Sequence, residues 1–507
     1  MTIPSPTRLV VALLAMAAIT LSAWQIAQPQ ADLDVQYTQV GTTPVKIYRQ
    51  PNAPPAPAIV IAHGFAGSRQ LMEPFAVTLA NAGYVAIAFD YRGHGRNPEP
   101  LTGDTATEDG ATRTLSDETR AILAFARTAP GTDGRLALLG HSMASDIIVR
   151  VAAQEPDVAT TIAVSLFSRE VTADQPRNLL MIIGGWENFL ADEALKSLRL
   201  THGPGAQVET TYGDAAAGNA RRVVLSDSVE HVGVLYSGES LREARDWANL
   251  VFDRQDAGAV DTRGPWVCLM ILGIVALGWP LAGLIPQRQI PQRQIPPRPN
   301  QIGRRIALAM LGPAVLTPLI LYPIPTGFLP VLVADYLAVH FAVFGALTFL
   351  ALAWARGLDA PRPRLTQVLI GIAAGAAMIA ALALALDSTV TSYVPITNRL
   401  DLILALTVGA LLMTTADAYL IDAARGRWWA ILAGKLCFFG SLVIAIALDL
   451  EELFFLIIIA PVMVLFFLVH GLWAHWLYQR TAAPLVPGIA CALALGWALG
   501  VIFPLLA

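Results

Sequence analysis

One stretch of the chain combines residue types and spacing that bring a nucleophile to a sharp turn: Leu138-Leu139-Gly140-His141-Ser142-Met143-Ala144, with an apolar run before the serine and a helical pattern after it. A serine on such a strand-to-helix turn stands exposed, and the backbone N–H of the next residue points at any oxyanion formed beside it. The hydroxyl attacks a carbonyl only when a histidine takes its proton and a carboxylate orients that histidine. His231, in Ser228-Val229-Glu230-His231-Val232-Gly233, lies just past the last strand pattern and is the expected base. Glu187, in Ile183-Gly184-Gly185-Trp186-Glu187-Asn188, is the carboxylate nearest a strand end and the expected acid. Asp192 is the alternative acid, although an aspartate there suits the opening of a helix. Asp227 precedes the histidine too closely. His63-Gly64-Phe65-Ala66-Gly67 turns sharply after a buried strand, so the backbone N–H groups of Phe65 and Met143 are the expected oxyanion hole, with His63 a structural residue of the loop. Asp90-Tyr91-Arg92-Gly93-His94-Gly95-Arg96 closes the following strand and shapes a turn.

A G-x-S-x-small match alone also fits a plain turn before a helix, so the elements around it must decide. Residues 35–41 and 45–49 read as a hairpin. Strand patterns follow at 58–62, 85–90, 135–139, 161–167, 179–183 and 222–225, and helical patterns at about 70–82, 115–128, after Ser142, 192–200 and 239–252. Strands alternating with helices build a largely parallel α/β sheet covered on both faces, with ligands at the carboxyl ends of the strands. Ser142, Glu187 and His231 each follow a strand pattern.

The composition adds a second architecture. Of 507 residues, 55% are hydrophobic, and the mean hydropathy of +0.54 is too high for an ordinary soluble protein. The apolar excess is concentrated in residues 261–507, an all-α region of about eight spans, each of about 19 to 25 residues and long enough to cross a bilayer. An apolar run at 9–27 makes a ninth span. It reads as a retained signal anchor over residues 1–30, with a cleaved signal peptide as the alternative. Residues 31–260 form the globular domain between them. The formal net charge of −4 gives no case for nucleic-acid binding. Cys268, Cys437 and Cys491 all lie in the apolar half, so the globular domain has no disulfide or thiolate metal site, and no cofactor or metal is expected.

Basic residues alternate between loops. Arg288, Arg293, Arg298, Arg304 and Arg305 fill one connection, Arg356, Arg362 and Arg364 another, Arg425 and Arg427 a third, and Arg480 a fourth. The intervening loops carry Asp387, with Arg399, or Asp449, Glu451 and Glu452. The positive-inside bias then puts the N-terminus in the cytoplasm of a bacterial-type inner membrane, with the globular domain and C-terminus on the far side. A doubled Pro-Gln-Arg-Gln-Ile repeat within the basic linker at 286–305 reads as an extended spacer. Asp335, His340, Asp401, Asp417, Lys435, His470 and His475 fall in or near spans, where a structural or headgroup role outweighs a proton pathway.

In combination, His63-Gly64, Asp90-x-Arg92-Gly93-x-Gly95, Gly140-x-Ser142, Glu187 and His231 resemble the α/β-hydrolase family, in its order and spacing, over roughly residues 33–255. The resemblance implies an oxyanion loop, a structural turn, a nucleophile, an acid and a base at those positions. It departs at Ala144, where a second glycine is usual, and at Glu187, where aspartate is commoner. Only eleven residues separate Phe167 from Leu179, too few for the helical cap the family often inserts there, so an open active site is expected. The expected activity is a membrane-anchored serine hydrolase cleaving lipid-like esters at the bilayer. The alternatives are an acyltransferase on the same triad and a transporter or sensor with a ligand-binding hydrolase-like domain. The oligomeric state is not encoded in any of these features.

Overall fold

A computed structural model describes residues 5–104, 108–288, 299–356, 363–424 and 426–507. Most of the doubled repeat, with Arg293 and Arg298, and also Arg362 and Arg425, lie outside the described residues. Contacts divide the chain into two compact units. One comprises Met1–Ile19, Ile271–Leu384 and Tyr393–Phe503; the other comprises Thr20–Met270, Ala385–Ser392 and Pro504–Ala507.

The second unit is built on an eight-stranded sheet, ordered β1-β2-β4-β3-β5-β6-β7-β8. The strands are β1 (Asp34–Val40), β2 (Thr43–Arg49), β3 (Ala56–Ala62), β4 (Val85–Phe89), β5 (Thr132–His141), β6 (Val158–Val164), β7 (Leu179–Gly184) and β8 (Arg221–Ser226). β1 and β2 form the expected antiparallel hairpin, β2 runs antiparallel to β4, and all other pairs are parallel. Every residue of β3 and β4 is buried, as a parallel sheet covered on both faces requires. The period-two alternation is visible in the packing. Ile59 and Ile61 of β3 and Leu139 of β5 join Phe75 and Leu79 of α2 (Glu73–Asn81) and Trp247 of α6 (Gly238–Phe252). Val60, Leu136 and Leu138 face the other way, onto Leu115 and Ile122 of α3 (Arg113–Ala126) and Ile147 and Ile148 of α4 (Met143–Gln154). The helix between β7 and β8, α5 (Asn188–His202), packs through Ala194 and Leu198.

β6 begins at Val158, earlier than the sequence pattern indicates, and stops at Val164, before the Ser165-Leu166-Phe167 segment that looked like its continuation. Between β6 and β7 no helix is present, in line with the short spacing.

The apolar unit holds most of α1 (Pro6–Ala27), α7 (Gly264–Ala282) and α10 (Leu365–Leu386), together with α8 (Pro299–Leu321), α9 (Ala334–Arg356), α11 (Leu400–Ala423), α12 (Trp428–Leu448), the short α13 (Leu450–Leu453), α14 (Phe455–Thr481) and α15 (Leu485–Gly500). Among the described residues seven helices are long and apolar enough to cross a membrane, which marks a membrane protein. Two of the nine expected spans are shorter apolar helices, Ile306–Leu321 and Leu485–Gly500. The last ends early because Pro504 follows, and its final residues leave the helix. α11 lies close to α9 and α15 through glycines: a Cβ on Gly409 would stand 2.1 Å from the Ala338 carbonyl, and one on Gly496 2.1 Å from Thr407 Oγ1. Three ionisable residues here have clear partners. Lys435 pairs with Asp417 at 2.5 Å, and the buried Arg399 donates to the Phe503 carbonyl at 2.7 Å, beside the C-terminal end of α15.

Candidate active site

Ser142 sits between β5 and α4 with φ +54° and ψ −118°, a strained conformation of the kind stored at functional turns. Its N–H donates to the Val164 carbonyl at 2.9 Å, carrying the β5–β6 pairing up to the turn. Gly140 lets the chain fold back: a Cβ there would lie 2.8 Å from the Ala144 carbonyl. Ala144, in the place of the usual second glycine, is fully buried without disrupting the turn.

The loops after β7 and β8 deliver the other two residues. Gly185 N–H donates to the Ser226 carbonyl at 2.7 Å and Trp186 N–H to the Val229 carbonyl at 3.1 Å, so the two loops are tied to each other. Glu230 folds its carboxylate onto the N–H groups of Val232 and Gly233, both at 2.7 Å, closing the turn that carries His231. The outcome is a linear relay. His231 Nε2 lies 2.8 Å from Ser142 Oγ, and His231 Nδ1 lies 2.5 Å from Glu187 Oε1. The second carboxylate oxygen of Glu187 accepts from Gly184 N–H at 2.6 Å and from Ser165 Oγ at 2.8 Å, which fixes its plane. Asp192, the alternative acid, lies exposed inside α5; the helix opens at Asn188, with Glu187 at the N-cap position, so Asp192 does not begin it. Asp227 turns its backbone N–H to Glu239 and is also outside the relay.

Three further residues, missed by the sequence reading, support this geometry. Ser165, with φ +53°, holds the carboxylate of Glu187; only the apparent strand through it concealed the turn. His141, inside the serine motif itself, has Nε2 at 2.9 Å from the His231 carbonyl and anchors the backbone of His231. Burial drives its pKa down to about 3, so it stays neutral there and donates that proton. Ser145 Oγ donates to the Ser142 carbonyl at 2.6 Å and accepts from Phe167 N–H at 3.2 Å, bracing the turn.

The loop after β3 lies directly against this turn. A Cβ on Gly64 would stand 3.0 Å from both His141 Nδ1 and Ser142 Cβ, so only glycine fits without displacing the neighbours. Phe65 is the next residue, and Met143 opens α4, where an N–H has no acceptor within the helix. His63 is structural as expected: Nδ1 donates to the Gly64 carbonyl at 2.8 Å, Nε2 accepts from Tyr91 N–H at 3.1 Å, and burial lowers its pKa to about 4. Asp90 accepts from the backbone N–H groups of Arg69 at 2.8 Å and Arg96 at 3.1 Å and pairs with the Arg69 guanidinium, which builds the turn after β4. Among the described residues no group of three His, Cys, Asp or Glu side chains is placed to hold a metal ion.

Residues 53–209 match the family described as serine aminopeptidase, S33. The quorum-quenching protein AidA of Acinetobacter baumannii is 29% identical over 162 residues, covering 30% of this chain and 49% of its own length. A Variovorax paradoxus protein named "Putative carbamate hydrolase RutD" is 28% identical over 229 residues, 42% of this chain and 76% of its own. This chain thus spans about half the length of the first relative. Among solved structures, dienelactone hydrolase from Anabaena variabilis is 16% identical with a TM-score of 0.31, covering 43% of this chain and 97% of its own. The sheet order, the serine turn at the end of β5 and the family match agree that this chain carries an α/β-hydrolase domain, joined to a region of apolar helices.

Proposed function

We propose that the protein is a membrane-anchored serine hydrolase that cleaves carboxylic esters with an apolar acyl group. The observation that carries this reading is the unbroken relay Ser142–His231–Glu187, at 2.8 and 2.5 Å. In it, Ser142 Oγ attacks the ester carbonyl carbon as His231 Nε2 takes the hydroxyl proton. The imidazolium that forms is stabilised by Glu187, which also holds the tautomer with Nδ1 protonated. The N–H groups of Phe65 and Met143 donate to the developing oxyanion, a contribution of ~3–4 kcal/mol per donor in enzymes of this chemistry. His231 returns the proton to the leaving alcohol, and water, deprotonated by the same imidazole, releases the acid.

The apolar substrate is supported by the surface around the relay. Among the described residues of 34–252 seven large apolar side chains are exposed, and four of them, Phe167, Trp186, Phe189 and Val232, lie in the segments after β6, β7 and β8, the last two of which carry Glu187 and His231. Trp186 and Val232 are sequence neighbours of Glu187 and His231. Aromatic side chains left exposed beside a nucleophile suit an acyl chain better than a polar group. With no helix between β6 and β7, the rim takes the place of a cap.

The non-cytoplasmic location is supported by the alternation of basic loops. The two distal segments grouped with the sheet, Ala385–Ser392 and Pro504–Ala507, follow α10 and α15, the helix ends that the charge pattern assigns to that side. The test is labelling of the detergent-solubilised chain with a fluorophosphonate, followed by turnover of an ester series of increasing acyl length. Carbamates, lactones and aminoacyl amides are included because relatives carry those names. Labelling at Ser142 with preference for longer acyl esters supports the reading; an unlabelled Ser142, or Ser142→Ala with full turnover, refutes it. Product analysis with added alcohol distinguishes water from another acyl acceptor.

A further inference from the structure

Two segments far along the sequence pack into the same compact unit as the sheet, and both meet the loops that support the oxyanion turn. Gln70 lies in the short 3-10 turn, Arg69–Met72, that follows the His63–Ser68 loop. Its side-chain amide is held at both ends. Nε2 donates to the Asp387 carbonyl at 3.1 Å, and Oε1 accepts from the Ser392 hydroxyl at 3.1 Å. The Asp387 carboxylate in turn accepts from Arg96 Nη2 at 2.6 Å. Gln70 is 7% exposed, so either end of its amide, once unpaired, would have little water to replace its partner.

The C-terminus grips the neighbouring loop. Leu505 N–H donates to the Gly93 carbonyl at 2.9 Å, Leu101 N–H to the Leu505 carbonyl at 2.8 Å, and Ala507 N–H to the Leu101 carbonyl at 2.9 Å. Gly93, at φ +75°, leaves no room for a side chain, since a Cβ would lie 2.5 Å from the Leu505 carbonyl. These contacts lead to the reacting atoms in short steps. Arg69 and Arg96 converge on Asp90; Tyr91, the next residue, donates to His63; and His63 holds the Gly64 carbonyl, one residue before Phe65. Gly64 fits against Ser142 with no slack. An oxyanion donor loses its value when displaced by about 1 Å, so whatever fixes this loop fixes the rate.

We propose that Gln70, Asp387 and Ser392 form a clamp by which the segment between α10 and α11 positions the oxyanion loop, making hydrolase activity depend on docking of that segment. The three are positioning residues, and the inference rests on the reading of Ser142 as a nucleophile. The clamp links the turnover of the sheet domain to a loop between two of the apolar helices.

The test uses the full chain in detergent. Gln70→Met and the double variant Asp387→Ala/Ser392→Ala should lower kcat ~10- to 100-fold, the range for a misplaced oxyanion donor, with KM changed less than about threefold. The pH profile should keep the wild-type shape, because His231 and Glu187 are untouched, and Ser392→Thr, which keeps the hydroxyl, should stay within about threefold of wild type. A kcat within about twofold of wild type in folded Gln70→Met overturns the clamp. So does a loss shared equally by Ser392→Thr and matched by loss of folded protein, which would mark a purely structural contact. Failure of the underlying reading shows separately, as a wild-type Ser142 that no fluorophosphonate labels, and it removes the clamp as an oxyanion device as well.

Discussion

Replacing Glu187 by glutamine keeps the size of the side chain and tests the relay through a conflict of donors. In the native structure both carboxylate oxygens accept: Oε1 from His231 Nδ1, and Oε2 from Gly184 N–H and Ser165 Oγ. An amide offers one oxygen and one NH2, so one side must face a donor with a donor. The Gly184 N–H, 2.6 Å away, is fixed by the backbone, whereas the imidazole can move its proton. The amide oxygen therefore turns to Gly184 and Ser165, its NH2 faces Nδ1, and the histidine adopts the tautomer with Nε2 protonated. That nitrogen, 2.8 Å from Ser142 Oγ, then donates to the serine and no longer takes its proton. The expected loss is ~10³–10⁴-fold in kcat, about 4–5.5 kcal/mol of barrier, with the fold intact. Steady-state ester hydrolysis and the rate of fluorophosphonate labelling both read it, with Asp192→Asn as a control that stays at wild-type rates. Glu187→Gln within tenfold of wild type, or Asp192→Asn with the large loss, refutes the assignment of the acid.

Other perturbations follow from the same contacts. Ser165→Ala removes one of the two hydrogen bonds that fix Glu187 Oε2, and kcat should fall ~5- to 20-fold with unchanged KM in the same assay. Gly140→Ala forces a Cβ to within 2.8 Å of a backbone carbonyl at the serine turn, so both melting temperature and labelling should drop. Burial pushes the Glu73 carboxyl up, but the Arg263 and Lys46 charges outweigh it and hold it below its ordinary value; its contribution to stability is present above about pH 4.5 and is lost as pH falls through the depressed value. Arg263→Met strands Asp261 in the interior, while Glu73 keeps Lys46, and should cost ~3–5 kcal/mol in a chemical-denaturation experiment, with partial recovery in Asp261→Asn/Arg263→Met. His63 and His141 titrate near 4 and 3 in the folded chain against 6.5 in the unfolded one. The unfolded chain therefore binds more protons between pH 6.5 and about 4, and each histidine lowers stability by up to about 1.4 kcal/mol per pH unit as pH falls through that window. His141→Gln should flatten that slope, and an unchanged slope would contradict the burial argument.

The positions of Ser142, Glu187 and His231 are legible in the sequence because each lies within a few residues after an apolar strand run, and a parallel sheet brings strand ends to one edge. Ser165 is not legible, since Leu166 and Phe167 extend the apolar run past the true end of β6. The start of β6 is hidden for the opposite reason: Thr160 interrupts the apolar signal ahead of Thr161, although it is buried and its Oγ1 donates to the Asn178 carbonyl. Nine apolar runs are evident from hydropathy, but hydropathy does not show that the last helix stops at Gly500, ahead of Pro504, or that Leu505 pairs with Gly93. Asp387 looks like a plain loop acid in the charge count. Its partners Gln70 and Arg96 lie about 300 residues away in the chain, and no local pattern reports such a contact. The two histidines flanking the site divide along the same line. His63 follows a strand into a glycine turn and is readable as structural, whereas His141 acts through the carbonyl of His231, a relation that exists only after folding.

The most direct measurement of the central claim is intact-mass and peptide mapping of the folded full chain after exposure to a fluorophosphonate. The relay predicts a single adduct on Ser142, absent in Ser142→Ala and slowed at least ~10³-fold in His231→Ala. A folded protein that remains unlabelled, or is labelled at another serine while Ser142→Ala keeps its activity, would contradict it.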